Sequence, residues 1–244
     1  RKEYIDSIPE DLERFGFKFE SVSLQSKRQA LYEKYVQFLF SKQKLYPCSC
    51  SRKKLFEENP VNADGEVIYS GHCLKNPIDK NSDFALRFKT PDKTITWEDL
   101  LLGKFEKNKK NQCGDFTIKD RISQWTYQFA VCVDDLEENI GLVVRGEDLR
   151  NSTARQIALL ETLGKKTPPL YLHHPLLTEK SGEKLSKRQH SKSLRAELEQ
   201  GLSIEDLLGL VCYETHSIPK KAPLTLNEAI YSIQKTYFSC FLKK

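Results

Sequence analysis

Residues 140–149 read Ile-Gly-Leu-Val-Val-Arg-Gly-Glu-Asp-Leu, an apolar run followed by charged residues. Its apolar, β-branched part predicts a buried parallel strand, because strands covered on both faces are hydrophobic throughout. Arg145, Glu147 and Asp148 fall at the carboxyl end of that strand. Ligands of open α/β sheets bind beside the carboxyl ends of the strands. The stretch therefore predicts an α/β fold and the position of a binding site.

The neighbouring segments extend this strand into a strand–helix–strand pattern. Residues 125–135 begin like an amphipathic helix and end in an apolar run. Residues 151–164 predict a second helix, closed by Gly164, with inward positions Ile157, Leu159, Leu160 and Leu163. A short strand follows at residues 170–173. This alternation predicts a doubly wound α/β fold that binds nucleotides.

The start of the chain predicts two helices. Residues 1–16 have apolar positions at near-helical spacing, interrupted at Pro9. Ser26 is expected to cap a second helix that ends near Lys44, because Pro47 blocks its continuation. The predicted apolar face of this helix consists of Ala30, Leu31, Tyr35, Phe38 and Leu39.

Strands are predicted at residues 84–89, 94–97 and 114–119. The polar, basic run 104–111 predicts an exposed hairpin or loop, which is either a solvated face or an RNA contact. After residue 200 the pattern is helical again, with apolar positions at Leu202, Ile204, Leu207, Leu208, Leu210, Ile230 and Ile233.

The composition is that of a mildly basic globular protein. The 244 residues include 39 Lys and Arg against 34 Asp and Glu, a net charge of +5. This balance is compatible with a nucleic-acid partner but does not indicate one. No apolar run approaches the roughly 18 residues of a membrane helix, and no signal peptide is visible. Seven cysteines, an odd number, indicate reduced thiols and a cytoplasmic location.

Three of these cysteines are candidates for a metal site. Cys48 and Cys50 lie close together, and Cys73 follows after a loop. Zinc binds four ligands in a tetrahedron, so three thiolates need one more partner. His72 is adjacent to Cys73 and would reach the same ion with difficulty, whereas Tyr69 could approach it across a turn. Three unrelated free cysteines are the alternative.

Residues 184–188 read Lys-Leu-Ser-Lys-Arg and end a loop-like run. Such a loop can close over a polyphosphate, because Lys supplies mobile positive charge and Ser adds a hydrogen-bond donor. A solvated basic loop is the alternative interpretation.

Four strings, in this order, resemble the catalytic core of the class I glutamyl-tRNA synthetases. They are Trp-Thr-Tyr-Gln-Phe-Ala-Val-Cys-Val-Asp-Asp at 125–135, Val-Arg-Gly-Glu-Asp-Leu at 144–149, His-Pro-Leu-Leu at 174–177 and Lys-Leu-Ser-Lys at 184–187. The last string is similar to the KMSKS signature of that class, in a variant form with Leu185. The four together are more specific than any one alone, and the resemblance covers residues 1–195.

The resemblance implies a class I synthetase-type, Rossmann-like α/β catalytic domain with an inserted zinc-binding subdomain. The implied boundaries are a helical part of the catalytic domain at 1–45, the insertion at 46–113, the second catalytic half at 114–195 and a C-terminal helical region at 196–244. Residues 188–244 are too few for a large anticodon-binding domain, which favours a short paralogue.

Within the class, the cysteine pattern resembles the glutamyl-Q tRNA(Asp) synthetases. Their structural zinc is held by three Cys and one Tyr, which implies the ligands Cys48, Cys50, Tyr69 and Cys73. Members of this family are ligases that activate L-glutamate with ATP and transfer it to queuosine at the wobble position of tRNA(Asp). A monomer is expected.

The resemblance also implies roles for individual residues. Tyr127 and Arg145 would bind glutamate, although Arg145 without the motif would be read as a structural ion-pair partner. ATP, accompanied by Mg²⁺, would contact Asp148, Leu149, Leu176, Leu177, Lys184 and Lys187. Lys184, Ser186 and Lys187 would stabilise the charge that develops during catalysis, while Asp134 and Asp135 are expected to be mainly structural.

One departure concerns the HIGH-like motif that class I synthetases carry after their first strand. No such motif occurs in the sequence, and Arg1 corresponds to a point just after the second strand of the family fold. We therefore expect that an N-terminal segment is missing from this sequence, which also contains no Met. Two alternatives stay open: an aminoacylating glutamyl-tRNA synthetase cut at both ends, and an inactive paralogue that binds RNA.

Overall fold

The computed structural model describes residues 2–76, 78, 83–109, 111–112, 114–176 and 194–238. The chain divides into two compact units: a central unit of residues 23–173, and a terminal unit of residues 1–22 and 174–244. The boundaries expected at 45/46 and 113/114 fall inside the central unit and remain predictions, as does the one at 195/196. None of the described helices combines the length and the apolar composition that crossing a bilayer requires.

The described strands and helices are as follows, in chain order. The strands are β1 (Leu45–Cys48), β2 (Ala85–Phe88), β3 (Ile95–Asp99), β4 (Gly103–Lys107), β5 (Phe116–Lys119), β6 (Leu142–Gly146) and β7 (Leu170–His174). The α-helices are α1 (Lys2–Arg14), α2 (Gln29–Ser41), α3 (Arg52–Glu58), α4 (His72–Lys75), α5 (Tyr127–Glu137), α6 (Thr153–Thr162), α7 (Leu194–Glu199), α8 (Ile204–Glu214) and α9 (Leu226–Tyr237). Short 3₁₀ helices cover Gln25–Lys27 and Glu147–Ser152.

The central unit contains two sheets. The first has the order β1-β2-β5 and is antiparallel, with Leu45 opposite Phe88 and Phe88 opposite Phe116. The second has the order β4-β3-β7-β6, in which β3 and β4 form an antiparallel hairpin. Strands β3 and β7 are parallel, with Asp99 opposite Tyr171. The parallel pair places the ends of β3 and β7 side by side, where the candidate site lies.

Helix α6 joins the two hydrophobic cores of the central unit. Ile157 and Ala158 pack in a cluster with Trp97 and Tyr171 of the second sheet. Leu159 and Leu160, on the same helix, belong to the cluster of the first sheet and of α2 and α5. Because residues 153–160 of α6 are all buried, the helix has no solvent-facing side along this length, and any polar residue there must find a partner inside.

The pattern-based predictions for α6, β2, β3, β5 and β7 are confirmed. Gly164 lies just after the end of α6 and has a φ of +102°. The hairpin predicted for the polar run is confirmed for residues 104–107, which lie in β4 and pair with β3. The parallel pairing expected of an α/β sheet is present between β3 and β7.

Three predictions for the second helix were wrong. Ser26 lies in a 3₁₀ turn, and the residue that precedes α2 is Arg28, without a side-chain cap. The buried face of α2 is Tyr32, Val36 and Leu39, so Leu39 alone of the predicted face is buried. The helix ends at Ser41 and not near Lys44. The buried face is therefore rotated about the helix axis relative to the predicted one, and the Tyr32 hydroxyl on that face donates to Asp134 on α5.

Two strand predictions also need correction. Residues 45–48, for which no strand was predicted, form β1; Pro47 is tolerated there because β1 is an edge strand of its sheet within the described residues. The run at 140–149 is a strand, but it is not buried on both faces: Leu142 is 37% exposed and Val144 53% exposed. Strand β6 ends the second sheet within the described residues, so its apolar side chains have fewer neighbours than a central strand would give them.

The terminal unit is helical. Helices α8 and α9 each begin with a capping box, formed by Ser203 with Asp206 and by Thr225 with Glu228. Arg195, on α7, donates from Nε to Asp11 on α1 at 2.6 Å. The helical pattern predicted after residue 200 is confirmed.

Gly114 is the residue whose replacement should disturb the central unit most specifically. Its φ is +68°, and a Cβ there would lie 2.4 Å from the carbonyl oxygen of Tyr69. Gly65 has a similar φ of +78° but open space around a Cβ, so it is a matched control. We expect Gly65→Ala to lower the free energy of unfolding by about 1 kcal/mol, from left-handed strain alone. Gly114→Ala should lower it by about 2–4 kcal/mol, because overpacking adds to that strain.

Urea unfolding of the two variants measures this difference. Equal losses for Gly65→Ala and Gly114→Ala would contradict the close approach of residue 114 to the Tyr69 backbone.

Candidate active site and metal centre

Arg145, the next-to-last residue of β6, is the buried cation at the centre of the candidate active site. The residue is only 9% exposed, and each guanidinium nitrogen donates a hydrogen bond. Nε donates to His173 Nε2 at 3.0 Å, and Nη2 donates to Thr153 Oγ1 at 2.9 Å. Nη1 donates to Gln156 Oε1 at 2.7 Å and, at 3.4 Å, to the hydroxyl of Tyr127. The guanidinium is therefore held on all sides by β7, α6 and α5.

All four of these partners are uncharged. His173 is neutral here, because its Nε2 accepts from Arg145 and burial lowers the pKa of its imidazole. Among the described residues, no carboxylate forms an ion pair with Arg145. Burying a cation without a direct counter-charge is costly unless a ligand supplies one. The site thus has the electrostatics of a receptor for an anion.

Tyr127 lies at the open edge of this arrangement. It is the first residue of α5, and it is 46% exposed while the rest of the Arg145 contacts are buried. Its bond to Arg145 is the longest of the set, at 3.4 Å, which is weak for a charged donor. A carboxylate entering from the Tyr127 side can therefore compete for Nη1 without disturbing the shorter bonds.

Asp135, on α5 like Tyr127, is an acidic residue that lies farther from Arg145 than the hydrogen-bonded partners do. Burial raises the pKa of its carboxyl to about 6, although the positive charge of Arg145 acts in the opposite direction. Asp134, next to it, accepts from the Tyr32 hydroxyl at 3.0 Å and pairs with Arg28 at 3.1 Å. The structural role expected for Asp134 agrees with these contacts.

The other predicted site residues fall in three places. Asp148, which is exposed, and Leu149, which is half-buried, lie on the 3₁₀ helix directly after β6, as expected for the carboxyl end of a strand. Leu176 is half-buried and follows β7 after Pro175. Leu177, Lys184, Ser186 and Lys187 lie outside the described residues.

Four residues of this site were not predicted from the sequence: Asp99, Thr153, Gln156 and His173. Thr153 and Gln156 are three residues apart on α6 and are polar positions on an otherwise apolar buried helix. That spacing puts them on one face of α6, and this polar face is the sequence feature that could have indicated them. Asp99 and His173 carry no such pattern, because only the parallel pairing of β3 with β7 brings them together.

The candidate metal centre is formed by Cys48, Cys50, Tyr69 and Cys73. The three Sγ atoms lie within 4.8 Å of one another. Sγ of Cys50 is 3.4 Å from Sγ of Cys73. The Tyr69 hydroxyl is 3.4 Å from Sγ of Cys48 and 3.6 Å from Sγ of Cys50. Tetrahedral zinc with Zn–S of about 2.3 Å would separate two sulfurs by about 3.7 Å, so these residues fit a four-ligand metal ion.

Local sequence explains how these four side chains meet. Cys48 ends β1, and Ser51 caps α3 by accepting from the Lys54 N–H at 3.1 Å, which fixes the chain that carries Cys50. Gly71, with φ of +78°, turns the chain so that Cys73 lies on α4. The backbone N–H of Cys73 donates to the Tyr69 hydroxyl at 2.9 Å.

His72 does not share this centre. Its Nε2 is 3.4 Å from Nζ of Lys54, and its ring nitrogens are not among the ligand atoms that cluster within 4.8 Å of one another. This geometry favours Tyr69 over His72 as the fourth member of the cluster, and the whole set of metal ligands remains a prediction.

The cluster perturbs its own thiols in opposite directions. Burial raises the pKa of Cys50 to about 11. Burial acts in the same way on Cys73, but hydrogen bonds with the Tyr69 hydroxyl and the Ser49 backbone outweigh it and lower the pKa to about 7. The guanidinium of Arg87 lies 3.9 Å from the centre of the Tyr69 ring, so a positive charge covers this side of the cluster.

Comparison with known sequences and structures agrees with this architecture. Residues 1–218 match the family model of tRNA synthetases class I (E and Q), catalytic domain. A glutamyl-Q tRNA(Asp) synthetase of Neisseria meningitidis serogroup C (strain 053442) is 39% identical over 187 residues, covering 75% of this chain and 63% of that protein. The relative of the same name from Pseudomonas entomophila (strain L48) is 36% identical over 206 residues, covering 84% of this chain and 67% of that protein.

Among solved structures, the glutamate–tRNA synthetase of Elizabethkingia anophelis superposes with a TM-score of 0.67 at 20% identity, covering 95% of this chain and 60% of that one. This likeness concerns the fold alone. The chain spans about 63% of the length of the first of the curated relatives. The prediction of a class I synthetase-type α/β fold is confirmed, and the chain belongs to the tRNA synthetases of class I, E and Q type.

Proposed function

We propose that the protein activates L-glutamate with ATP and transfers the glutamyl group to queuosine at the wobble position of tRNA(Asp). The family model and the names of the relatives support this activity. The observation that carries the glutamate part is the buried Arg145 cation with its uncharged partners and the weakly bound, exposed Tyr127 beside it. We assign the enzyme to the cytoplasm.

Arg145 and Tyr127 hold the side-chain carboxylate of L-glutamate. That carboxylate is the one that stays ionised throughout, because the α-carboxylate is consumed when the adenylate forms. Hydrogen bonds between a guanidinium and a carboxylate are strengthened by their charges, and the buried site increases their strength further. Glutamine carries no charge to neutralise Arg145, so the same contacts exclude it.

In the first step an oxygen of the α-carboxylate attacks the α-phosphorus of ATP. The bond between the α-phosphorus and the bridging oxygen breaks, and pyrophosphate leaves with glutamyl-adenylate formed. Asp148 and Leu149 would contact the ribose and adenine, together with the backbone at Leu176 and Leu177. Lys184, Ser186 and Lys187 would stabilise the charge that accumulates on the phosphates.

In the second step a hydroxyl of queuosine attacks the activated carbonyl carbon, and AMP leaves. The Arg145–Tyr127 contact keeps the glutamyl group in place during this transfer, which is catalysis by positioning. Mg²⁺ would accompany ATP and reduce the charge of its phosphates.

We further propose that Cys48, Cys50, Tyr69 and Cys73 bind one structural Zn²⁺ in the subdomain expected at 46–113. The interatomic distances fit a closed four-ligand site. Three thiolates and a phenolate would give the Zn²⁺ complex a net negative charge. Arg87, stacked on the ring of Tyr69, partly compensates that charge.

The activity is tested with protein from the complete open reading frame, [¹⁴C]glutamate, ATP and tRNA(Asp) with or without queuosine. We expect label on tRNA(Asp) that requires queuosine and that resides in the anticodon after fragmentation of the tRNA. Label at the 3′ end, independent of queuosine, would contradict the proposal and indicate an aminoacylating glutamyl-tRNA synthetase. Binding of tRNA without any label would indicate an inactive RNA-binding paralogue.

The metal centre is tested by metal analysis of matched variants. We expect about one zinc per chain in the wild type and loss of that zinc on Cys48→Ser, because three ligands remain. Tyr69→Phe also leaves three ligands and should weaken zinc binding, in competition with a chelator, by more than the about 10–100-fold typical of contacts outside the ligand set. His72→Gln is the control and should bind zinc like the wild type, because His72 contacts Lys54. Loss of zinc on His72→Gln with retention on Tyr69→Phe would overturn the assignment of the fourth ligand.

A further inference from the structure

The orientation of Arg145 depends on the side of the guanidinium that faces away from Tyr127. There, Nε donates to His173 Nε2 at 3.0 Å, and the imidazole is completely buried. Nε is the nitrogen closest to the aliphatic part of the side chain. Fixing it therefore fixes the plane of the guanidinium and the direction in which Nη1 points.

His173 can accept from Arg145 in only one protonation form. An arginine is always a donor, so Nε2 of His173 must be unprotonated. The remaining proton is on Nδ1, which lies 2.6 Å from Oδ2 of Asp99 and donates to it. The contact with Asp99 thus selects the tautomer that Arg145 requires.

Asp99 is itself held by backbone groups. Its Oδ1 accepts from the N–H of Leu101 at 3.1 Å and of Leu102 at 3.0 Å, both in the turn between β3 and β4. Asp99 is 1% exposed. With Oδ1 occupied by the turn, Oδ2 is left to face the imidazole. The orientation of the carboxylate is therefore set by the hairpin.

The arrangement places a neutral imidazole between a buried cation and a buried anion. In the described part of the chain, neither Arg145 nor Asp99 has an ion pair with any other residue of opposite charge, apart from the contact of Asp99 with His173 itself. The charges of Asp99 and Arg145 are coupled through His173, and the long bond from Nη1 of Arg145 to Tyr127 is the one that a carboxylate can replace.

We propose that Asp99 and His173 are positioning residues of the glutamate site: Asp99 fixes the Nδ1–H tautomer of His173, and His173 holds Arg145 with its Nη1 edge toward Tyr127. This inference rests on the proposed function. It gives the β3–β4 hairpin a part in amino-acid recognition, because Asp99 belongs to β3. Neither residue touches the substrate.

The decisive variant is Asp99→Asn. The two N–H groups of the turn require an oxygen at the Oδ1 position, so the amide nitrogen would face His173. That nitrogen donates, which forces Nδ1 to accept and moves the imidazole proton to Nε2, against the Nε–H of Arg145. An Asp-to-Asn exchange beside a histidine reverses the tautomer in the same way in serine proteases.

Protein from the complete open reading frame is assayed by glutamate-dependent ATP–pyrophosphate exchange. For Asp99→Asn we expect the KM for L-glutamate to rise about 10–100-fold, as for loss of a well-placed charged hydrogen bond. The KM for ATP should stay within about 2-fold. Glu98→Gln is the matched control, because Glu98 is the neighbouring acid of β3 and is exposed. It should leave both constants unchanged.

Dependence on His173 is tested by combining variants. If Asp99 acts through the imidazole, Asp99→Asn should have little further effect in a His173→Gln background, since no tautomer remains to be reversed. Additive effects of the two substitutions on the KM for L-glutamate would overturn the proposal. Equal losses in the affinities for L-glutamate and ATP would also overturn it, because they would indicate a general structural defect.

The inference can also be tested without an activity assay, by a spectroscopic measurement on the unsubstituted protein. Long-range ¹H–¹⁵N spectra distinguish protonated from unprotonated imidazole nitrogens, and the chain has five histidines to assign. We expect His173 to be neutral with the proton on Nδ1, and to change tautomer in Asp99→Asn. A proton on Nε2 in the wild type would overturn the proposal. A protein with this tautomer but without glutamate-dependent exchange would refute the proposed function while confirming the positioning of Arg145.

Discussion

The buried positive charge of Arg145 is the constraint around which the central unit is arranged. Three elements supply its partners: Tyr127 from α5, Thr153 and Gln156 from α6, and His173 from β7. Each partner accepts a hydrogen bond without supplying negative charge. The fold therefore supplies acceptors for the hydrogen bonds of the guanidinium but no direct negative charge. A ligand can supply that charge, as expected of a binding site whose formation lowers the stability of the unliganded fold.

The candidate metal centre, like the Arg145 site, is assembled from side chains on several different elements. Strand β1, the capped helix α3 and the short helix α4 bring three thiols and a phenol together. The isolated bridge between Tyr69 and Gly114 ties this cluster to the segment that enters β5. A metal ion there would fix irregular backbone that has few hydrophobic contacts of its own. The small size of the apolar cluster around Tyr46, Tyr69 and the cysteines is consistent with that need.

Much of the fold could be predicted because local patterns agree with it. Gly164 and the inward residues of α6 defined that helix, and the run at 140–149 located β6 and Arg145. The errors arose where tertiary contacts override the pattern. Tyr32 is buried because Asp134 on another helix satisfies its hydroxyl. Val144 is exposed because β6 ends its sheet in the described residues, which no property of the run itself reveals.

The residues of the candidate sites also differ in whether the sequence could predict them. Tyr127, Arg145 and the four members of the cysteine cluster could be named because the sequence resembles the glutamyl-tRNA synthetases at these positions. Asp99 and His173 could not, because 74 residues separate them and only the parallel register of β3 and β7 brings them within bonding distance. Residues that orient the substrate contacts thus depend on topology, whereas the contacts themselves are visible in the sequence.

Whether Arg145 needs an external negative charge can be measured by calorimetric titration with L-glutamate and L-glutamine. We expect protein from the complete open reading frame to bind L-glutamate at least about 30-fold more tightly than L-glutamine, as for a buried charge pair. We expect Arg145→Gln to abolish this preference. Equal affinities of the wild type for the two amino acids, or a preference for L-glutamate that survives Arg145→Gln, would contradict this need for an external charge.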